Sequence, residues 1–327
     1  MISIRKIFPF FCLILLSGCV VKNVGTTVEH TFKGDYYLTS EKFEQGRESF
    51  AREVQENPDS VLAHYYYGRF LLQDNDFELA LKHLKKARDL KPRIADYHFW
   101  TGLAYGGLND IKNEETSYRN ALKLDDDHLQ SLIYLGHVEF RGKRFEQALA
   151  LYRRALEIWP ASPSALYNRA LIFHILDRTP EERVAWLDYL ELYPSGSKGR
   201  RAADYLNMAG NYNFRNQTLG STTVTVEKIR FVPFTAALAE ASDESLLLIG
   251  EVFQDMDKGT LQIVVYQKNN KELAKKRAIA VKQFLNSELP SLKTREIGVS
   301  WFAEPQQLTI KGKKLSVDEA VSFFVTR

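Results

Sequence analysis

Residues 61–94 read VLAHYYYGRFLLQDNDFELALKHLKKARDLKPRI, residues 95–128 read ADYHFWTGLAYGGLNDIKNEETSYRNALKLDDDH, and the two stretches share a register. Gly68 and Gly102 occupy one slot, and Gly34, Gly136 and Ala170 extend it at steps of 34. Pro58, Pro92, Pro160 and Pro194 keep the same step, with Asp126 in the missing place. Five blocks follow, 27–60, 61–94, 95–128, 129–162 and 163–196, and a fixed period of this length marks stacked supersecondary units. Each block reads as two amphipathic helices, as in Ala63 to Gln73 and Phe77 to Leu90.

The slots carry a packing logic. Gly and Ala at fixed points let two backbones approach. Tyr37, Leu71, Tyr105 and Phe173, with Phe50, Leu84, Tyr118, Tyr152 and Trp186, fill the remaining space. The prolines close each second helix, because the residue before proline avoids the helical region. Asn75, Asp76 and Asn109, Asp110 predict the turns between paired helices. His30, His64 and His98 share a register too, so repeat packing explains them better than a metal.

These residues resemble the tetratricopeptide repeat (TPR), over 170 of the 327 residues. The resemblance implies an all-α solenoid whose first helices line a concave, peptide-binding face. By register that groove comprises Tyr65, Arg69 and Leu72; Phe99 and Leu103; Ile133, His137 and Phe140; and Tyr167, Leu171 and His174. Lysine and asparagine, which some family members use to grip a C-terminal carboxylate, are missing at corresponding points. The expected guest is an apolar helix or strand. The fifth block is degenerate at Thr179, Pro180 and Glu182, and Ser197 to Met208 reads as a closing helix.

Ahead of the repeats, Arg5 and Lys6 precede an apolar run from Ile7 to Leu16. The run is too short to span a bilayer, which needs about 20 residues, and has the layout of a secretory signal. Leu16, Ser17, Gly18 and Cys19 resemble the lipobox of bacterial lipoproteins. This implies a signal peptide over 1–18, lipidation of Cys19 and a tether over 19–26; several acyl chains anchor stably where one does not. Val20, where an aspartate commonly retains such proteins in the inner membrane, implies the periplasmic face of the outer membrane. Cys12 and Cys19 are the only cysteines, so no disulfide can staple the rest of the chain.

Behind the repeats, Asn207 to Thr223 is rich in Asn, Gly and Thr and reads as a linker, placed at 209–223. From Val224 strands and helices alternate: a strand to Phe234, a helix Ser242 to Met256, a strand Leu261 to Tyr266, a helix Lys271 to Leu289, and strands at 295–302, 307–311 and 320–326. An α+β sandwich over 224–327 is predicted. Ile229 to Phe234 resembles the first strand of the OmpA-like peptidoglycan-binding domain, and Asn270, Leu273, Arg277 and Ala278 its second-helix signature. That resemblance implies Asn270 and Arg277 as wall contacts. The stretch Tyr266 to Asn270 is short for the family's loop and lacks its aspartate, and Lys268, Lys271 and Lys275 would repel a ligand amine. Lys275, Lys276 and Arg277 in one run read as a solvated helix surface, the alternative to a wall contact for Arg277.

Residues 19–196 carry 23 basic and 27 acidic residues, and 197–327 carry 19 and 14, which separates two modules by sign. A net charge of +3 does not suggest nucleic acid. No phosphate loop, HExxH pair, GxSxG elbow or CxxC is present in the sequence. Glu114, Glu115 and Glu181, Glu182 read as neighbours on turns or helix starts. The expectation is a scaffold without cofactor or metal that is not an enzyme, similar in layout to pilotins and Tad-type assembly lipoproteins of pilus and secretion systems. It would capture a protein partner during assembly of an envelope machine. The alternative is a tether between outer membrane and peptidoglycan.

Overall fold

The computed structural model describes residues 30–326. The signal peptide, the tether and Cys19 lie outside the described residues. Ten helices follow the first described one, α1 (30–39), before any strand: α2 (Phe43–Glu56), α3 (Val61–Gln73), α4 (Phe77–Leu90), α5 (Ala95–Gly107), α6 (Ile111–Leu124), α7 (Leu129–Arg141), α8 (Phe145–Ile158), α9 (Pro163–Ile175), α10 (Thr179–Leu192) and α11 (Gly196–Met208). Their starts repeat every 34 residues for local reasons. Ser60 and Ser162 accept from the backbone amides of Ala63 and Ala165, and Asp76 and Asp110 accept from those of Leu79 and Asn113, which are helix N-caps. Between paired helices Glu41, Asn75, Asn109, Lys143 and Asp177 all sit in the left-handed region, φ 53 to 60°.

The glycine slot works by close approach. A Cβ built on Gly102 would lie 2.5 Å from Cε1 of Tyr118, and one on Gly136 would lie 2.6 Å from Cε1 of Tyr152. Phe50, Leu84, Tyr118, Tyr152 and Trp186, one residue per block at the same register, are completely buried. His64 and His98 each bond the carbonyl of the proline six residues back, Pro58 and Pro92.

The chain falls into two compact units, the first ending at Trp159 and the second beginning at Pro160. The fifth block and the closing helix, which carry the helical run to Met208 as expected, fall in the second unit with the strands. The expected 209–223 linker is corrected. It contains β1 (Phe214–Leu219) and the start of β2 (Thr222–Glu227), an antiparallel hairpin turned at Gly220 with φ +59°. Threonine and asparagine there serve pairing: Thr225 donates to the Asn216 side chain, which in turn donates to Asp204 of α11.

Helix α12 (Asp243–Gln254), β3 (Thr260–Gln267), α13 (Lys271–Glu288), β4 (Ile297–Phe302), β5 (Gln306–Ile310), β6 (Lys313–Val317) and β7 (Glu319–Thr326) complete the second unit. The main sheet has the order β2-β1-β7-β3-β4, with β3 antiparallel to β7 and parallel to β4, while β5 and β6 pair separately. Leu246, Ile249, Phe253, Ala278, Val281 and Leu285 of the two helices form one core with Leu261, Ile263, Val265 and Phe323 of the sheet. The expected strand Val224 to Phe234 stops at Glu227. Beyond it Phe231 makes only an isolated bridge to Leu238. Pro233 offers no amide and Phe234 is left-handed, φ 61°, so the chain turns there.

Candidate binding face on the first helices

In the first unit a polar chain crosses three first helices. Arg69 of α3 donates from Nη1 to the Tyr65 hydroxyl at 3.2 Å, and that hydroxyl donates to Asp96 of α5 at 3.0 Å. The other Asp96 oxygen is 3.0 Å from Nε2 of His128, whose Nδ1 is 2.9 Å from the Ser131 hydroxyl and caps α7. The His128 contact is the largest cause holding the Asp96 carboxyl below its ordinary value. Burial is the largest cause raising the Tyr65 phenol. The chain is thus a neutral phenol bridging a cation and a carboxylate.

The residues expected in the groove divide by depth. Tyr65 (6% exposed), Phe99, Ile133 and, in the second unit, Tyr167 are buried. Their surface is spent inside the protein, a correction to their reading as groove walls. Phe99 meets Tyr118, Tyr134 and His128 with ring centroids 5.3 to 5.8 Å apart, and Tyr167 meets Trp186 and Tyr189 at 5.2 Å. Arg69, Leu72, Leu103, His137 and Phe140 stay partly exposed in the first unit, as do Leu171 and His174 of α9 in the second. His174 Nδ1 is 2.8 Å from the buried Glu182, and its ring lies 4.3 Å from that of Tyr205. Asp96 escaped the register argument because nothing repeats it, its equivalents being Leu62, Gln130 and Ser164; Trp100 has aromatic equivalents in Tyr66 and Tyr134, and His128 caps its helix as Ser60 and Ser162 cap theirs.

The carboxylate pairs are at helix starts, as expected, and one of each is buried, Glu114 and Glu182. Glu114 accepts from Arg141 at 2.5 Å. Burial still raises its carboxyl, with Arg141 opposing. Glu139, only 1% exposed, occupies the slot that holds Leu71, Tyr105 and Phe173 elsewhere. Arg119 and Arg144 neutralise it, and both also reach Glu115. The signal that could have found this network was that break in register.

In the second unit Arg277 is 2% exposed, not solvated as expected. It pairs with Glu319 at 2.9 Å, donates from Nε to the Thr235 carbonyl at 2.9 Å, bonds Gln267, and stacks 4.5 Å from the Phe231 ring centroid. Asn270 is exposed and caps α13 by accepting from the Leu273 amide at 3.0 Å. The two residues expected to bind the wall are thus a buried tie and a helix cap. Among the described residues no group of three or more His, Cys, Asp or Glu gathers to hold a metal ion, and no helix is long and apolar enough to cross a membrane.

Three tetratricopeptide-repeat family models match the chain, over residues 33–93, 95–128 and 136–176. Human protein O-mannosyl-transferase TMTC3 is 27% identical over 140 residues, 38% of this chain and 15% of that protein. Tetratricopeptide repeat-containing protein trd-1 of Caenorhabditis elegans is 26% identical over 159 residues, 48% of this chain and 20% of that protein. The chain spans a fifth or less of the length of these relatives. Among solved structures, MamA is 18% identical with a TM-score of 0.44, covering 48% of this chain and 92% of that one. Pseudomonas aeruginosa pilF is 18% identical with a TM-score of 0.48, covering 54% and 85%. The repeated helix pairs of this chain are tetratricopeptide repeats, followed by a C-terminal region of mixed strands.

Proposed function

We propose that the chain is a non-enzymatic scaffold that holds a protein partner along the first helices of its repeats. One observation carries this reading: Arg69, Leu72, Leu103, His137 and Phe140 remain partly exposed at the register that lines the binding face in such repeats, while Tyr65, Phe99 and Ile133 are buried in the packing. A rigid base under a mixed apolar and cationic surface suits recognition of a polypeptide. We further infer a lipid anchor at Cys19 on the periplasmic face of the outer membrane, with a role in assembling an envelope machine such as a pilus or secretion system. The sequence from Arg5 to Val20 supports the anchor. The tether alternative is the weaker reading, because the guanidinium it needs, Arg277, is buried and paired within the chain.

A photocrosslinker placed at Leu72, His137 or Phe140 in cells tests the scaffold, with exposed Ile111 of α6 as the control position. One partner captured from all three sites and not from Ile111 is expected; equal capture from Ile111 would sink the reading. In the same cells Cys19→Ala is expected to abolish acyl-chain labelling, and persisting label would remove the anchor.

A further inference from the structure

The face proposed above holds a cation, Arg69, that meets no carboxylate as an ion pair among the described residues. The Arg69 guanidinium lies 4.3 Å from the Trp100 ring centroid, 5.2 Å from that of Tyr65 and 5.6 Å from that of Tyr66. Its Nη1 spends a hydrogen bond on a phenol, and its Nε is buried with no hydrogen-bond partner. Asp96 lies near enough to feel the Arg69 charge but forms no ion pair with it; its two oxygens are each 3.0 Å from a partner, the Tyr65 hydroxyl and His128 Nε2. Arg47, Arg119, Arg141 and Arg144 of the same unit, by contrast, each meet an acid within 3 Å. At the same register the next blocks carry Leu103, His137 and Leu171, so the cation belongs to one repeat.

We propose that Arg69 is the anchoring cation of this face and receives the side-chain carboxylate of an Asp or Glu within a partner's polypeptide, with Leu72, Leu103 and Trp100 taking the apolar residues beside it. Charge complementarity selects the acid. A guanidinium already held among three rings and by a hydrogen bond to a phenol loses less freedom when it pairs, and its fork matches a carboxylate. An internal residue is selected over a chain end because partly exposed apolar side chains lie both along α3, at Leu72, and across on α5, at Leu103, so the guest chain continues past the charge. The proposal rests on the reading that a partner occupies this face.

The test screens the full chain against a randomised library of twelve-residue peptides blocked at both ends, and against the same library with free C-terminal carboxylates. Selected peptides are then remade with Glu→Gln or Asp→Asn, and binding is measured by fluorescence anisotropy. The expected result is enrichment of one acidic position between apolar residues in the blocked library. Its neutralisation should weaken binding at least about tenfold, the factor that 1.4 kcal/mol gives. Arg69→Gln should lose the same factor and no longer distinguish acid from amide, closing a double-mutant cycle. Arg69→Lys, which keeps the charge and folds if the amide variant does not, should retain only part of the discrimination.

Each other outcome overturns the proposal in its own way. Peptides that bind without an acid, ignore Arg69→Gln and are lost in Leu72→Ser remove the anchor and keep the face. Binders found only with free C-termini replace the internal acid by a chain end. No binders from either library remove both the anchor and the face.

Discussion

The repeats between Val61 and Ile158 and the sheet between Phe214 and Thr326 bury polar groups by opposite means. In the repeats many partners are near in sequence or keep the block spacing: His64 and His98 reach back six residues to a proline carbonyl, and glycine slots accept rings sixteen residues on. In the sheet the partners come from afar. Arg277 ties Thr235, Gln267 and Glu319 together, the Gln217 side chain accepts from the Phe323 amide, and Arg215 donates to Gln306 at 2.7 Å. Periodic contacts give many small, separable contributions. Long-range ties concentrate stability in a few side chains.

The largest effect expected from this contrast is at Arg277. Arg277→Met should destabilise the second unit by about 3 to 5 kcal/mol, because the Thr235 carbonyl and the Gln267 side chain each lose their donor, about 1 to 3 kcal/mol apiece, and the partly exposed Glu319 loses its cation. Urea unfolding followed by Trp301 fluorescence measures it. A loss below about 1 kcal/mol would show the tie to be ornamental and break the contrast. A smaller loss is expected from Gly102→Ala, about 1 to 3 kcal/mol, because the new Cβ meets Tyr118, which is completely buried. Circular dichroism melting checks it, and an unchanged melting temperature would mean that neighbouring blocks yield more easily than close packing allows.

The smallest effect is a pH dependence. Burial first, then His64 and Lys82, push His83 down from 6.5 to about 4. Nδ1 of His64 lies 2.8 Å from Nδ1 of His83, and the Tyr67 ring closes one side. Glu78, Lys85, Lys86 and Asp89 line the same surface. The folded chain keeps His83 neutral where the unfolded chain already binds a proton. The contribution is therefore complete above pH 6.5 and is lost as pH falls from 6.5 toward 4. Wild type should lose more stability over that window than His83→Gln, about 3 kcal/mol by the full linkage and about 1 kcal/mol once solvent screening is allowed for, read from melting temperatures at fixed ionic strength. Parallel curves for the two proteins would refute the assignment.

How much could be read in the sequence follows the same divide. Helix boundaries in the repeats were legible because capping and turn residues recur, as Asp76 and Asp110 do. The helices and most strands of the second unit were legible from alternation and apolar runs. Strand β1 was not, since Asn216 and Thr218 look like loop residues until Asp204 and Thr223 supply their partners. Strand β6, Lys313–Val317, is charged at its start and half-covered, so it carried little hydrophobic signal. At the candidate site, register found Arg69 and Leu72 but mistook depth at Tyr65, Phe99, Ile133 and Tyr167. Period reports which helix a residue belongs to and not whether a neighbouring ring covers it. Arg277 was misjudged because Lys275, Lys276 and Arg277 form one run, although only the last turns inward.

The union of α9 to α11 with the sheet has a consequence for how such chains can be recombined. The visible change from helices to strands, near Met208, is where an engineer or a gene duplication would be tempted to cut. A cut there strands Asn207, whose amide serves the carbonyls of Asn211 and Phe214, and severs Asp204 from Asn216. The compact unit that holds the sheet begins at Pro160, so an intact copy of the sheet takes α9 to α11 with it.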